Sequence, residues 1–125
     1  MYVNRIGREP APMNADYDRI AAEGQSWVAE HDGRVVGLLV LERGEEHLLL
    51  ENVAVLPQAQ GLGVGGRLLR LAEDRACAYG LREVRLYTNE SMTENLAYYP
   101  RRGYNESHRS VQDGYHRVFF TKRLS

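Results

Sequence analysis

Over residues 26–56 the chain reads SWVAEHDGRVVGLLVLERGEEHLLLENVAVL, apolar positions alternating or running together and broken at Asp32-Gly33 and again near Gly44. Alternation with period two marks strands that bury one face, and Asp-Gly is a two-residue hairpin signal. The stretch therefore predicts three antiparallel strands. Over 64–79 the period changes: at about 100° per residue, Val64, Leu68, Leu71, Ala72, Ala76 and Tyr79 share one broad helical face, which Gly80 closes. Residues 82–88 (REVRLYT) predict a strand. A second helix follows, with Ser91 and Glu94 at capping-box spacing, and ends at Gly103. Residues 104–110 and 115–123 flank Asp113-Gly114 and predict a closing hairpin. Before all of these, DYDRIAAE at 16–23 suits a short helix stopped by Gly24.

The order is helix, three strands, helix, strand, helix, hairpin. A right-handed crossover around the first long helix places strands 47–56 and 82–88 parallel in one sheet. The turn between the earlier strand and the helix lies at the strand's carboxyl end, where open α/β sheets bind ligands.

That turn is rich in glycine. Gly61, Gly63, Gly65 and Gly66 fall within VLPQAQGLGVGGRLL, and 53–71 holds no Asp or Glu, although first turns of helices attract acids; Arg67 and Arg70 stand there instead. A helix N-terminus presents unpaired N–H groups and a partial positive charge, and glycines let a bulky anion reach them, which suits a phosphate or pyrophosphate. The plainer reading is a tight turn with close helix-sheet packing. Gly61-Leu62-Gly63-Val64-Gly65-Gly66 matches the dinucleotide pattern GxGxxG, but Glu83 opens its strand where an acid should end one. A P-loop needs Gly-Lys-Ser or Gly-Lys-Thr, and the chain has Gly66-Arg67-Leu68.

Composition narrows the classes. With 125 residues the chain predicts a single domain over 1–125. Sixteen basic and seventeen acidic residues, spread evenly, argue against nucleic-acid or membrane partners. No apolar run approaches the roughly 20 residues of a membrane span, and the N-terminus has no signal-peptide core, so a soluble, cytoplasmic protein is expected. Cys77 is the sole cysteine, on the polar side of its helix and about 18 Å along the axis from Gly65, which sets it aside as a nucleophile. His31, His47, His108 and His116 are scattered without ligand spacing, so no metal is expected.

Val55-x-Pro57-x-x-Gln60-Gly61-x-Gly63-x-Gly65 resembles the acetyl-CoA motif of the GCN5-related N-acetyltransferases (GNAT), and Asn95 with Tyr99-x-x-x-Gly103-Tyr104 resembles that family's second signature. The resemblance covers 26–124. It implies an α/β fold whose mixed, mostly antiparallel sheet carries a parallel, splayed strand pair at the acetyl-CoA site. The pyrophosphate would lie on the turn of Gln60, Gly61, Leu62, Gly63, Val64 and Gly65, with the pantetheine arm pairing along Val53, Ala54 and Val55 and touching Asn95. The other reading of Asn95 is a solvent-facing residue of a first helical turn.

The implied activity is direct transfer of the acetyl group from acetyl-CoA to a primary amine, small-molecule or peptide, in a ternary complex. The amine must lose a proton and the departing thiolate gains from a positioned acid. The resemblance gives that acid role to Tyr99; an aromatic filler between helix and sheet is the other reading. Pro100 directly after Tyr99 departs from the family pattern and disfavours helical angles at Tyr99. Glu51 is the candidate base, beside which a plain surface carboxylate is the bland reading. Glu45, Glu46, Glu51 and Glu90 fit a cationic acceptor. A CoA-binding module without turnover is the alternative function.

The family begins with a further strand and one or two helices, whereas 25 residues precede Ser26. The first strand is expected to be missing, or vestigial at 2–6. Strand 26–31 would then be an open edge, which predicts a homodimer through that edge or its covering by the N-terminal segment.

Overall fold

A computed structural model describes residues 2–5 and 26–124. The helix expected at 16–23, with its Gly24 stop, lies outside the described residues. The fold is mixed α/β, with a mostly antiparallel sheet containing one parallel pair. Packing divides the chain into two compact units, Met1–Glu42 with Leu50–Ala72 and Arg43–Leu49 with Glu73–Ser125.

In the first unit the strands follow the order β1 (Tyr2–Arg5), β2 (Ser26–His31), β3 (Arg34–Arg43), β4 (Leu48–Val55). The first strand is thus present in the short form expected as one alternative at 2–6, and the other alternative, that it is missing, is corrected. It pairs antiparallel with β2 from Tyr2 opposite Glu30 to Arg5 opposite Trp27. Four residues are too few to show a periodicity, so the sequence gives little sign of this strand. The β2 edge is consequently covered, the second of the two expected outcomes, and the argument for a homodimer through that edge falls.

Strands β2 and β3 pair antiparallel with Trp27 opposite Leu39 and Ala29 opposite Gly37. Asp32 and Gly33 both take positive φ, +52° and +76°, the geometry of a type I′ hairpin turn. Trp27, Ala29, Leu39 and Leu41 are buried. A side chain at Gly37 would meet helix α1 (Val64–Ala78) directly: a Cβ there would lie 2.9 Å from Val64 Cγ1, 3.2 Å from Leu68 Cδ1 and 3.3 Å from the Ala54 carbonyl oxygen. The bare backbone of Gly37 therefore sets how closely the first turn of α1 approaches β3. Val64, Leu68, Leu69 and Ala72 are buried, while Leu71, expected on the inner face, is half-buried.

In the second unit the order is β5 (Glu83–Asn89), β7 (Tyr115–Arg123), β6 (Asn105–Gln112), both pairings antiparallel. Val84, Leu86, Val118 and Phe120 alternate inward and are buried, and Phe120 packs against Tyr99 of helix α2 (Thr93–Arg101), which also meets Tyr104. The β6–β7 turn is Asp113-Gly114, at φ +53° and +81°, as expected. Helix α1 ends as the sequence predicts, with Gly80 at φ +75°; its N–H donates to the Cys77 carbonyl and that of Leu81 to the Ala76 carbonyl, the Schellman pattern.

The start of α2 differs from expectation. Its cap residue is Met92 and no side chain caps it, because Ser91 is engaged elsewhere: Asn89 Oδ1 accepts from the Ser91 N–H at 2.9 Å and from its hydroxyl at 2.8 Å. An Asx turn at the end of β5 thus takes the hydroxyl that a capping box would use.

Because a Cβ at Gly37 overlaps the first turn of α1, Gly37→Ala is expected to cost about 1–3 kcal/mol through overpacking. Urea unfolding checks this. An unchanged midpoint would show that α1 moves aside freely.

Candidate functional site

The first unit carries the glycine turn. Strand β4 buries Leu48 and Leu50, then exposes Asn52 and Ala54, with Glu51, Val53 and Val55 half-buried on the alternate positions. The Leu56 N–H donates to the Val36 carbonyl, and a short 3-10 turn (Pro57–Ala59) buries Ala59. Gln60 is extended, at φ −63° and ψ 138°. Gly61 and Gly63 follow at φ +93° and +79°, both with open space where a Cβ would stand. Glycine is required at these two positions by backbone angle, not by room.

Helix α1 begins at once with Val64, which is buried and fixes the helix start against β3. The first helical bond runs from the Arg67 N–H to the Gly63 carbonyl at 3.1 Å, so the amides of Val64, Gly65 and Gly66 precede the helical ladder. No acid stands in this turn. Gly65 and Gly66 have negative φ and each costs the helix roughly 1 kcal/mol relative to Ala, so neither is explained by helix formation. Leu62 is 53% exposed, and Gln60, Gly61 and Gly63 are exposed with it. The result is an open, acid-free cluster of N–H groups with the geometry of an anion seat.

The second unit carries the other candidates. Asn95 is half-buried and its Nδ2 donates to Thr88 Oγ1 at 3.0 Å. Thr88 is itself buried on β5, a partner that the sequence pattern does not reveal.

Tyr99 is 6% exposed, its ring edge-on to Tyr98 and Tyr104 and tilted against Phe120, with centroids 5.5–5.9 Å apart. Burial, and secondarily Tyr98, pushes its phenol up to about 12. Tyr104 is raised as well, by burial first and the neighbouring Glu73 carboxylate second. Helix α2 continues through Pro100 to Arg101. The proline therefore falls in the last turn, and Tyr99 keeps a helical place.

Glu51 is half-buried on β4, Glu45 and Glu46 are exposed, and Glu90 binds Arg109 at 3.0 Å. Glu90 is thus already engaged by a cation of its own chain. Cys77 is exposed on α1. Among the described residues no group of metal-binding side chains comes together, and no helix is long and apolar enough to cross a membrane.

The profile of the acetyltransferase (GNAT) family matches residues 3–104. The chain belongs to that family. It is 32% identical over 95 residues to the uncharacterized N-acetyltransferase YjhQ of Escherichia coli K12, a match covering 70% of this chain and 49% of the relative. The chain thus spans about half the length of that curated relative. Among solved structures, a GNAT family acetyltransferase from Elizabethkingia anophelis with acetyl-CoA bound aligns with TM-score 0.78 at 19% identity, over 98% of this chain and 97% of the other. Naa20 of Chaetomium thermophilum, in complex with a bisubstrate analogue, aligns with TM-score 0.83 at 19% identity, over 99% and 87%. At such identities these two likenesses concern the fold of this family member.

The glycines separate by role. Gly63→Ala places a Cβ on a left-handed backbone and is expected to cost roughly 1–2 kcal/mol, whereas Gly65→Ala is expected to gain up to about 1 kcal/mol. Urea unfolding of both checks this, and equal effects would contradict it.

Stability at high pH tests the burial of Tyr99. The folded chain keeps a phenol proton that the unfolded chain loses near pH 10, so this stability is present below about pH 10 and is lost, by roughly 2–3 kcal/mol, as pH rises toward about 12. Tyr99→Phe is expected to flatten the decline in urea-unfolding stability above about pH 10. Identical slopes would count against the burial of this phenol.

Proposed function

We propose that the chain works as one N-acetyltransferase domain that moves an acetyl group from acetyl-CoA to a primary amine. The observation that carries this is the glycine turn: two left-handed glycines feeding an acid-free helix start, with two further glycines that helix formation does not explain. Family membership and a fold neighbour with acetyl-CoA bound support the same co-substrate. The pyrophosphate would sit on Gln60, Gly61, Leu62, Gly63, Val64 and Gly65, and the pantetheine arm would run along Val53, Ala54 and Val55 and reach Asn95. The exposure of Ala54 and the half-burial of Val53 and Val55 favour that strand as a main-chain partner.

In the reaction the amine nitrogen forms a bond to the thioester carbonyl carbon, the C–S bond breaks, and the amine's proton ends on the CoA sulfur by way of solvent. Tyr99 has the acid role. With its phenol near 12 it is protonated at neutral pH. A free thiol ionises roughly 3 units lower, so Tyr99 stabilises the departing thiolate as a hydrogen-bond donor rather than by surrendering its proton outright. Glu51 would take up the amine proton through a water. Acetyl-CoA metabolism fits a cytoplasmic setting, and the acceptor is a small-molecule or peptide amine.

Calorimetry with acetyl-CoA is expected to show binding by the wild type and its loss in Gly63→Glu, whose carboxylate opposes the phosphates. A folded wild type that does not bind would overturn the reading. Tyr99→Phe is expected to keep acetyl-CoA affinity while lowering kcat by about 10²–10⁴-fold. Binding without turnover of any amine would favour a CoA-binding module instead.

A further inference from the structure

Pro100 breaks the pattern around Tyr99. It lies in the last turn of α2 and has no N–H, so the Leu96 carbonyl loses its helical donor just where the Tyr99 ring must be held. Other groups hold this turn. The Tyr99 carbonyl accepts from the Arg102 N–H at 2.9 Å and from the Tyr104 N–H at 3.1 Å. The Arg102 carbonyl, at the helix end, accepts from Lys122 Nζ of β7 at 3.0 Å. The same ammonium donates to Glu73 Oε1 of α1 at 3.0 Å, and Glu73 Oε2 accepts from the Tyr104 hydroxyl at 3.1 Å. Tyr104 in turn stands edge-on to Tyr99, 5.9 Å between centroids. Gly103, at φ +90°, lets the lysine stem pass, since a Cβ there would come within 3.2 Å of Lys122 Cε. The lysine and glutamate side chains are 27% and 21% exposed, so their pairing is weakly screened.

We propose that Lys122 and Glu73 form a clamp that positions the Tyr99 ring for the transfer, taking over the end of α2 where Pro100 removes its own hydrogen bond. The proposal rests on the acid role given to Tyr99 above. Neither clamp residue touches a substrate; both act through the helix end and Tyr104.

The test combines Lys122→Met and Glu73→Gln, each alone and together with Tyr99→Phe. Three quantities are read: acetyl-CoA affinity by calorimetry, CoA release with a panel of primary amines, and the Tyr99 ring resonances of 13C-tyrosine-labelled protein, assigned with Tyr99→Phe. Each clamp variant is expected to keep acetyl-CoA affinity, to lose about 10- to 100-fold in kcat, and to add no further loss in the Tyr99→Phe background. The Tyr99 resonances should shift or broaden while those of exposed Tyr115 stay. Glu73→Gln retains hydrogen-bonding capacity and serves if Lys122→Met fails to fold. Unmoved Tyr99 resonances, or kcat losses that multiply with Tyr99→Phe, overturn the clamp. Failure of the wild type to bind acetyl-CoA overturns instead the reading on which it rests, and the resonances still decide the clamp.

Discussion

The geometry of the glycine turn depends on one close approach, that of the first turn of α1 to β3 at Gly37. Opposite Ala29 in the β2–β3 ladder, Gly37 leaves room for Val64 and Leu68 to lie against the backbone itself. Val64 is also the residue at which the helix begins, directly after left-handed Gly63. Interior packing resolves changes of a single methylene, so a helix seated this tightly has its N-terminal amides placed by the sheet beneath them. An anion seat made of backbone needs such seating, because it has no side chain to adjust.

Burial does a second piece of chemistry at Tyr99. The aromatic cluster of Tyr98, Tyr104 and Phe120 both fixes the ring and disfavours its phenolate. Filler and acid, the two readings of this residue, are compatible. The packing that makes it a filler keeps it protonated, which the proposed role requires. Holding a ring at a helix end that contains proline calls for support from outside the helix, and Lys122, Glu73 and Tyr104 stand in position to give it.

Legibility in the sequence followed the range of the interaction. Asp32-Gly33 and Asp113-Gly114 read correctly as hairpin turns because their left-handed angles are a local demand that few residue pairs meet. The stop of α1 at Gly80 and the left-handed turn at Gly61 and Gly63 are legible for the same reason. The Ser91–Glu94 cap was misread because Asn89, two residues earlier, competes for the serine hydroxyl. Strand β1 is legible only as a vestigial alternative at 2–6, because its four residues gain their identity from pairing with β2. The partners Thr88–Asn95 and Glu73–Lys122 had no signal at all: separations of 7 and 49 residues leave no periodic trace in a sequence.

In the proposed transfer, backbone amides of the glycine turn receive the pyrophosphate of acetyl-CoA. Its most direct measurement is a pair of titrations of 15N-labelled protein, one with CoA and one with pantetheine, which has the arm but no pyrophosphate. The amides of Gly63, Val64, Gly65 and Gly66 are expected to move with CoA and to stay in place with pantetheine. Shifts that leave these four amides untouched by CoA, or that pantetheine reproduces in full, would contradict it.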